Sequence, residues 1–281
     1  MDCVKIKQLP ALPPRPKSGH KGLFGHVLIV GGSDQMIGAP VLAGTAALRM
    51  GGGLVQIAMP RSVLATAISV TPELIGLALG PSDKPLLEAA EKADSLVIGP
   101  GLGQSPAARR RVMRLIKFDQ PMVIDADALN LLAKKWPAGF KAAAVLTPHP
   151  GEMRRLIGGG SVPTDDAGRI ELANSFAAKK KVVLVLKGER TVVSDGLRYF
   201  LNNTGDSSLS KGGSGDLLSG MLGCLLAQKM DRFDASCVAV HLHGRAGELA
   251  GVKLGRRSVL SRDVIEALPA AIHEISPDMP G

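Results

Sequence analysis

Ser210-Lys211-Gly212-Gly213-Ser214-Gly215-Asp216, running straight on into Leu217-Leu-Ser-Gly-Met-Leu-Gly-Cys-Leu-Leu-Ala-Gln228, decides how the rest of the chain is read. In the second half, Leu217, Leu218, Met221, Leu222, Leu225 and Leu226 recur at helical spacing with no charge among them. This spacing predicts a buried helix over 217–228. In the first half, glycines leave the backbone bare and able to turn sharply. A glycine-rich turn feeding a buried helix aims several N–H donors one way, with roughly half a positive charge behind them. The stretch therefore predicts an anion-binding turn. Asp216 at its mouth has two readings: a helix N-cap, worth about 1 kcal/mol, or a carboxylate base beside a phosphate. The Gly and Ser residues packed into the turn favour the base.

Upstream of this turn, short apolar runs alternate with Ala- and Leu-rich helical stretches. The runs are Val27–Val30, Leu54–Ala58, Ser95–Ile98, Met122–Ile124, Ala142–Leu146 and Val182–Leu186, nearly all ending in Gly, Asp or a Pro-bearing turn. Continuous apolar strands separated by helices predict an α/β fold, with a mostly parallel sheet covered by helices on both faces. Asp195-Gly196 between Thr191-Val-Val-Ser and Arg198-Tyr-Phe-Leu marks a hairpin, so the last part of the sheet should turn antiparallel. Residues 1–22 carry Pro10, Pro13, Pro14 and Pro16 and read as an extended arm that packs on the domain or on a neighbouring subunit. Residues 23–281 read as one domain.

Composition narrows the partners. Hydrophobic residues make up 45% of the 281 and aromatics only 3%, so the core is aliphatic and close-packed. The formal charge of +9 points to anionic ligands. With one Trp and one Tyr there is little on which to stack bases. Phosphate-bearing small molecules are therefore favoured over nucleic acid. The tightest basic run, Arg109-Arg110-Arg111, reads as a solvated helix face. Cys3, Cys224 and Cys237 show no metal-ligand spacing and fit a reducing cytoplasm. The Pro-rich start does not read as a secretory signal, and no uncharged run reaches the ~18 residues of a membrane span.

In an open α/β sheet ligands bind beyond the carboxyl ends of the strands, and the unusual residues of this chain sit there. Gly99-Pro-Gly-Leu-Gly103 is a tight turn or a site of close backbone approach. It does not have the glycine spacing of a dinucleotide fingerprint, and no P-loop occurs anywhere. Asp125-Ala-Asp127-Ala-Leu-Asn130 puts two carboxylates and an amide at one strand end, where either acid can cap the next helix. In Thr147-Pro-His149-Pro-Gly-Glu152 two prolines stiffen the loop that carries His149, and Glu152 falls in the first turn of the next helix. Lys187-Gly-Glu-Arg-Thr191 opens the hairpin as a charged turn or a phosphate contact. His241 and His243, two apart on a predicted helix over 238–250, face different ways and share no metal, so each reads as a core or surface residue.

Taken together, and with Phe24-Gly-His26, Gly31-Gly-Ser33 and Gly38-Ala39, these loops closely resemble those of the ADP-dependent NAD(P)H-hydrate dehydratases, a branch of the ribokinase-like superfamily. The resemblance runs over about residues 20–270. It is to the stand-alone form, since the length leaves no room for the epimerase domain of larger members. It implies a ribokinase-like three-layer sandwich and the dehydration of the hydrates of NADH and NADPH, with ADP as co-substrate and AMP and phosphate as products. Asp216 is then the base and a substrate contact; Ala39, Gly103, His149 and Asn130 are further substrate contacts. Lys187, Gly188, Glu189, Arg190 and Thr191, with Gly213, Ser214 and Gly215, form the nucleotide site. Glu152 resembles the acid that orients Mg²⁺ through water in related kinases. A homo-oligomer, a tetramer in many members, and a cytoplasmic setting are also implied. The family's turn usually reads Asn-Pro-Gly-Met-Ala-Thr ahead of Gly-Gly-Thr-Gly-Asp; here Asp206-Ser-Ser-Leu-Ser-Lys211 places a negative and a positive charge beside the anion site. Pro40 replaces a usual alanine after Ala39. The alternatives are a small-molecule kinase of the same superfamily, which would share Asp216, and a non-catalytic nucleotide-binding protein, which has no use for a carboxylate beside phosphate.

Overall fold

Apolar residues at consecutive positions give the central strands two greasy faces, and covering both builds the molecule. The computed structural model describes residues 3–142 and 144–276. Residues 1–2 of the expected arm, Ala143 of the fifth apolar run and 277–281 of the expected domain lie outside the described residues. The strands are β1 Val4–Ile6, β2 His26–Val30, β3 Leu54–Pro60, β4 Ile75–Leu79, β5 Ser95–Ile98, β6 Met122–Ile124, β7 Ala144–Leu146, β8 Val183–Leu186, β9 Val192–Ser194 and β10 Arg198–Leu201. They form one sheet in the order β1-β10-β9-β8-β7-β6-β5-β2-β3-β4. Pairing is parallel from β4 through β8; β9 runs antiparallel to β8 and β10, and β1 is parallel to β10. The hairpin and the mostly parallel sheet are as the sequence predicts.

The helices are α1 Gly38–Arg49, α2 Arg61–Val70, α3 Lys84–Lys92, α4 Pro106–Leu115, α5 Ala126–Lys134, α6 Pro150–Leu156, α7 Asp166–Lys180, α8 Ser214–Ala227, α9 Arg232–Leu254 and α10 Ser261–Ile275. Side-chain alternation sorts them into two layers. Val27, Ile29, Val97, Val123, Val145 and Val185 pack with α1, α2 and α8–α10 on one face. Leu28, Val30, Leu96, Ile98, Ile124 and Leu146 pack with α3–α7 on the other. After β4 the chain returns to the far side of β2, so the direction of winding reverses between β2 and β5. Such a reversal opens a crevice at the strands' carboxyl ends.

Two strands escape the sequence reading. In β4, Gly76 interrupts a run that is mostly exposed or half-buried, so little apolar signal marks it. β1 is contributed by the arm: Val4 N–H donates to the Leu197 carbonyl at 2.9 Å. Further along the arm, the Arg15 guanidinium lies 4.0 Å over the Phe24 ring and donates to the Gly51 carbonyl. The arginine run is only in part the solvated face expected of it. Arg110 and Arg111, joined by Arg114, converge on the Asp83 carboxylate at 2.8, 3.0 and 3.1 Å. The guanidinium hydrogen bonds of Arg110, and behind them those of Arg111, outweigh desolvation and hold Asp83 below the usual carboxylate range. Two of the three arginines are half exposed, so solvent screens the cluster.

Helix α8 is pressed directly onto its neighbours. A Cβ on Gly220 would lie 1.8 Å from the Ala43 carbonyl oxygen of α1, and one on Gly223 2.3 Å from Val97 of β5. This contact sets the depth of α8 and brings its N-terminus to the carboxyl ends of the strands. An exposed Gly→Ala change in a helix gains about 1 kcal/mol, whereas overfilling a packed contact costs roughly 1–3 kcal/mol or more. Gly220→Ala is therefore expected to lower the unfolding free energy by about 2 kcal/mol in urea titrations. A neutral or stabilising result would contradict the close approach.

Candidate active site at the start of the buried helix

Helix α8 begins earlier than its apolar stripe, at Ser214, and its N-cap is Gly213 at φ 93°, a backbone state in which a side chain is strained. Asp216 is therefore the third helical residue, and the N-cap reading falls. No side chain caps the helix, and the first-turn N–H groups of Gly215 and Asp216 lie beyond the reach of any intrahelical carbonyl. Among the described residues nothing hydrogen-bonds the Asp216 carboxyl group. The space beside Gly212 is open.

Beneath this turn lies a buried ion pair that joins two strand ends. Lys187, following β8, places Nζ 2.9 Å from Oδ1 of Asp125, which follows β6. The other Asp125 oxygen accepts from the Ser219 hydroxyl at 2.6 Å, tying the pair to α8. A Cβ on Gly215 would lie 3.2 Å from Lys187 Nζ, so the glycine lets the helix settle on the ammonium. Lys187 thus belongs to a buried cluster and not to an exposed turn. The rest of its run lies at the surface: Thr191 Oγ1 donates to the Gly188 carbonyl at 3.1 Å, Arg190 pairs with Asp166, and Glu189 is exposed.

The end of β7 supplies the third wall. His149 is the N-cap of α6: Nδ1 accepts from the Gly151 N–H at 3.0 Å and the Glu152 N–H at 3.4 Å. Glu152 completes a capping box by accepting from the His149 N–H at 2.9 Å. This leaves the imidazole proton on Nε2, which lies 3.5 Å from Glu152 Oε1. Burial first, then the charges of Lys187 and Arg155, hold His149 below its usual pKa, so the ring is neutral at pH 7.

Electrostatics divides the carboxylates by role. Burial opposes the Asp125 charge, but Lys187 and Ser219 outweigh it and keep the group ionised. Burial likewise opposes the Lys187 ammonium, which Asp125, Glu152 and Asp216 together keep charged. Asp216 is raised to about 7 by burial and then by the charge of Asp125. Glu152 is also raised to about 7 by burial, against the pull of Lys187. Two acids therefore titrate near neutrality around one fixed ammonium, the poise expected of proton-transfer groups.

The sequence reading missed His243. It lies on α9, which is longer than the expected 238–250, and its Nε2 sits 3.0 Å from the Ser214 hydroxyl. Burial and then Lys187 lower its pKa to about 4, so a neutral imidazole braces the first residue of α8. Gly247 and Gly251, four and eight residues on, press against Leu209 and Ser208 of the incoming loop. Their spacing was the available sign that this face of α9 supports the loop.

On the other flank, Asp127 accepts from the Gly103 N–H at 2.8 Å, so this acid holds the glycine loop in place. Asn130 Oδ1 accepts from Arg155 at 2.9 Å. Ala39, in the first turn of α1, lies against Gly101, and Pro40 sits in that same turn, where a missing N–H costs nothing. The two charges that depart from the usual turn are both engaged beside it. Lys211 donates to the Arg257 carbonyl at 2.7 Å, and Asp206 pairs with Arg256 at 2.7 Å. Among the described residues no three His, Cys, Asp or Glu side chains gather as a metal-ligand set, and no helix is long and apolar enough to cross a membrane.

Residues 27–270 match the family described as NAD(P)H-hydrate dehydratase. A bifunctional NAD(P)H-hydrate repair enzyme of Moorella thermoacetica is 39% identical over 95% of this chain but only 53% of its own length. The chain thus spans about half the length of such curated relatives. An ADP-dependent (S)-NAD(P)H-hydrate dehydratase of Bacillus subtilis is 36% identical over 92% of both proteins. Among solved structures, a Bacillus subtilis ADP/ATP-dependent NAD(P)H-hydrate dehydratase crystallised with ATP and Mg²⁺ aligns at TM-score 0.83, with 33% identity over 95% of each chain. A ribokinase-like superfamily protein of Enterococcus faecalis aligns at TM-score 0.82, with 26% identity over 95% of this chain and 93% of its own.

The raised Asp216 pKa carries a stability consequence. Between the unfolded value near 4 and about 7, the folded chain holds a proton that the unfolded chain releases, so folding weakens as pH rises through that window. Asp216→Asn removes the penalty. Its unfolding free energy is expected to exceed that of the parent by about 1–3 kcal/mol at pH 8 and to match it at pH 4. Paired urea titrations at the two pH values check this.

Proposed function

Because the chain belongs to the NAD(P)H-hydrate dehydratase family and has the ribokinase-like fold, we propose that it restores NADH and NADPH from their hydrates, using ADP as phosphoryl donor. The observation that carries this is Asp216: a half-buried carboxyl group without a hydrogen-bond partner, at the start of an uncapped helix, with a pKa of about 7. Hydroxide is a poor leaving group. Asp216 takes the proton of the C6 hydroxyl as that oxygen attacks the β-phosphorus of ADP, and AMP leaves. The ring nitrogen's lone pair then expels phosphate from C6, and loss of a C5 proton restores the dihydropyridine.

Phosphoryl transfer asks the protein for position and charge neutralisation more than for covalent chemistry. The N–H groups of the 212–216 turn face the transferring group, and Lys187 lies directly behind them. One aimed donor of this kind contributes roughly 3–4 kcal/mol to the transition state, more than the helix dipole's 0.3–2 kcal/mol. We assign Lys187–Thr191, with Gly213, Ser214 and Gly215, to the nucleotide, and Ala39, Gly103, Asn130 and His149 to the hydrated dinucleotide. Mg²⁺ is held mostly by water and ligand phosphates, which suits a site where Glu152, like Asp216, is not hydrogen-bonded to a lysine or arginine among the described residues. When bound, it would neutralise charge on the phosphates, with Glu152 holding it through water. The free state of all three cysteines supports a cytoplasmic setting, and a homo-oligomer, as a tetramer, belongs to the same reading.

The test is recovery of reduced-nicotinamide absorbance from hydrated NADH or NADPH with ADP and Mg²⁺. Asp216→Asn is expected to slow it by roughly 10²-fold or more, the scale of a lost general base. In the parent, kcat/KM should fall tenfold per pH unit below about 7, because the base must be ionised. No recovery with ADP or ATP, together with phosphorylation of a small alcohol, would replace this reading with that of a kinase.

A further inference from the structure

Beside the carboxylate cluster lies an open cleft of about 640 Å³ between α5 and α6, lined by Gln104, Asn130, Lys134, Gly151, Arg154 and Arg155 among others. Its size is typical of a small-molecule site. No carboxylate lines it, and among the described residues none of its three cations has an ion-pair partner. Two are instead oriented by neutral amides: Arg155 donates to Asn130 Oδ1 at 2.9 Å and Lys134 to Gln104 Oε1 at 2.8 Å. The contrast with the other basic cluster is direct, since there Asp83 sits at the centre of its arginines. Lys134, Arg154 and Arg155 also end helices, where cations complement the dipole. That explains their sign but not their convergence, from two helices, on one cleft.

The cleft is joined to the reaction site. Arg155 is three residues after Glu152, on neighbouring positions of α6, and its charge acts on both Glu152 and His149. Gln104 follows Gly103, and Asn130 is itself assigned to the dinucleotide. A ligand whose nicotinamide end lies at Asp216 and His149 therefore has a cationic recess open to its remainder.

We propose that this cleft is a phosphate subsite for the adenosine end of the dinucleotide, and that it favours the hydrate carrying a 2′-phosphate over the one without. This rests on the dehydratase reading, and Lys134, Arg154 and Arg155 are its donors. A phosphate monoester is nearly dianionic at pH 7, and charge-assisted hydrogen bonds from guanidinium and ammonium groups match it. Screening by salt follows, because the cleft is open.

Two measurements test it: kcat/KM for the hydrates of NADPH and NADH, and equilibrium binding of NADP⁺ against NAD⁺. Each is made with the parent and with an Arg154→Ala, Lys134→Ala double variant, at low and high salt. The expected result is a parent preference for the phosphorylated form of roughly tenfold or more, shrinking with salt and abolished in the double variant. Equal handling of both forms by the parent, or a preference that survives the double substitution, overturns the proposal. So does binding of inorganic phosphate that depends on these cations while NADP⁺ gains nothing over NAD⁺, since the cleft would then hold only a free anion. If neither hydrate turns over but NADP⁺ still outbinds NAD⁺ through these residues, the dehydratase reading fails and the subsite stands.

Discussion

One ammonium group serves three carboxyl groups, and the working part of the molecule depends on that imbalance. Lys187 is hydrogen-bonded to Asp125 at 2.9 Å, leaving Asp216 and Glu152 in a half-dry space where its charge reaches them only from a distance. Burying a charge without a partner is costly, so both acids resist ionisation until near neutral pH. The ion pair acts on Asp216 from both ends: the ammonium pulls it down, and the Asp125 carboxylate, with burial, pushes it up by more. Were Asp125 absent, that repulsion would go with it and Asp216 would fall back toward an ordinary acid.

This arrangement needs parts from distant places in the chain held to within an ångström, and the sheet supplies them. Asp125, His149 and Lys187 each follow a strand in the series β6, β7, β8, so their backbones are spaced by ladder hydrogen bonds. The fourth part, the turn before α8, is seated by contacts that admit no side chain at Gly220 and Gly223. Close-packed interiors transmit displacement rather than absorbing it. A shift at Gly220, nearly a helical turn and a half below the turn, is therefore a shift of the N–H groups themselves.

Much of this was legible in the residues. The apolar runs announced the central strands and the hairpin, and their endings placed the polar loops together at one edge. What escaped were features decided by three-dimensional pairing. Asp83 gave no sign that it would gather three arginines from α4, because attraction between groups 27 to 31 residues apart leaves no local periodicity. β4 and β1 are too short, or too exposed, to carry an apolar signature. Lys187 read equally well as a surface turn because nothing local reveals that its stem folds back under α8. His243 reads as a core or surface residue, and nothing local shows which, since its contact with Ser214 crosses 29 residues.

The small strand at the sheet's margin bears on how the chain is made. Val4–Ile6 hydrogen-bonds only to β10, whose residues lie more than 190 positions later. Among the described strands it is made before the other nine, and its one neighbour is made after all of them. It waits, unpaired, while the eight strands between them are made. Its brevity and the alternation of Lys5 and Lys7 with apolar residues suit that wait, since short, charged edges pair poorly with strangers.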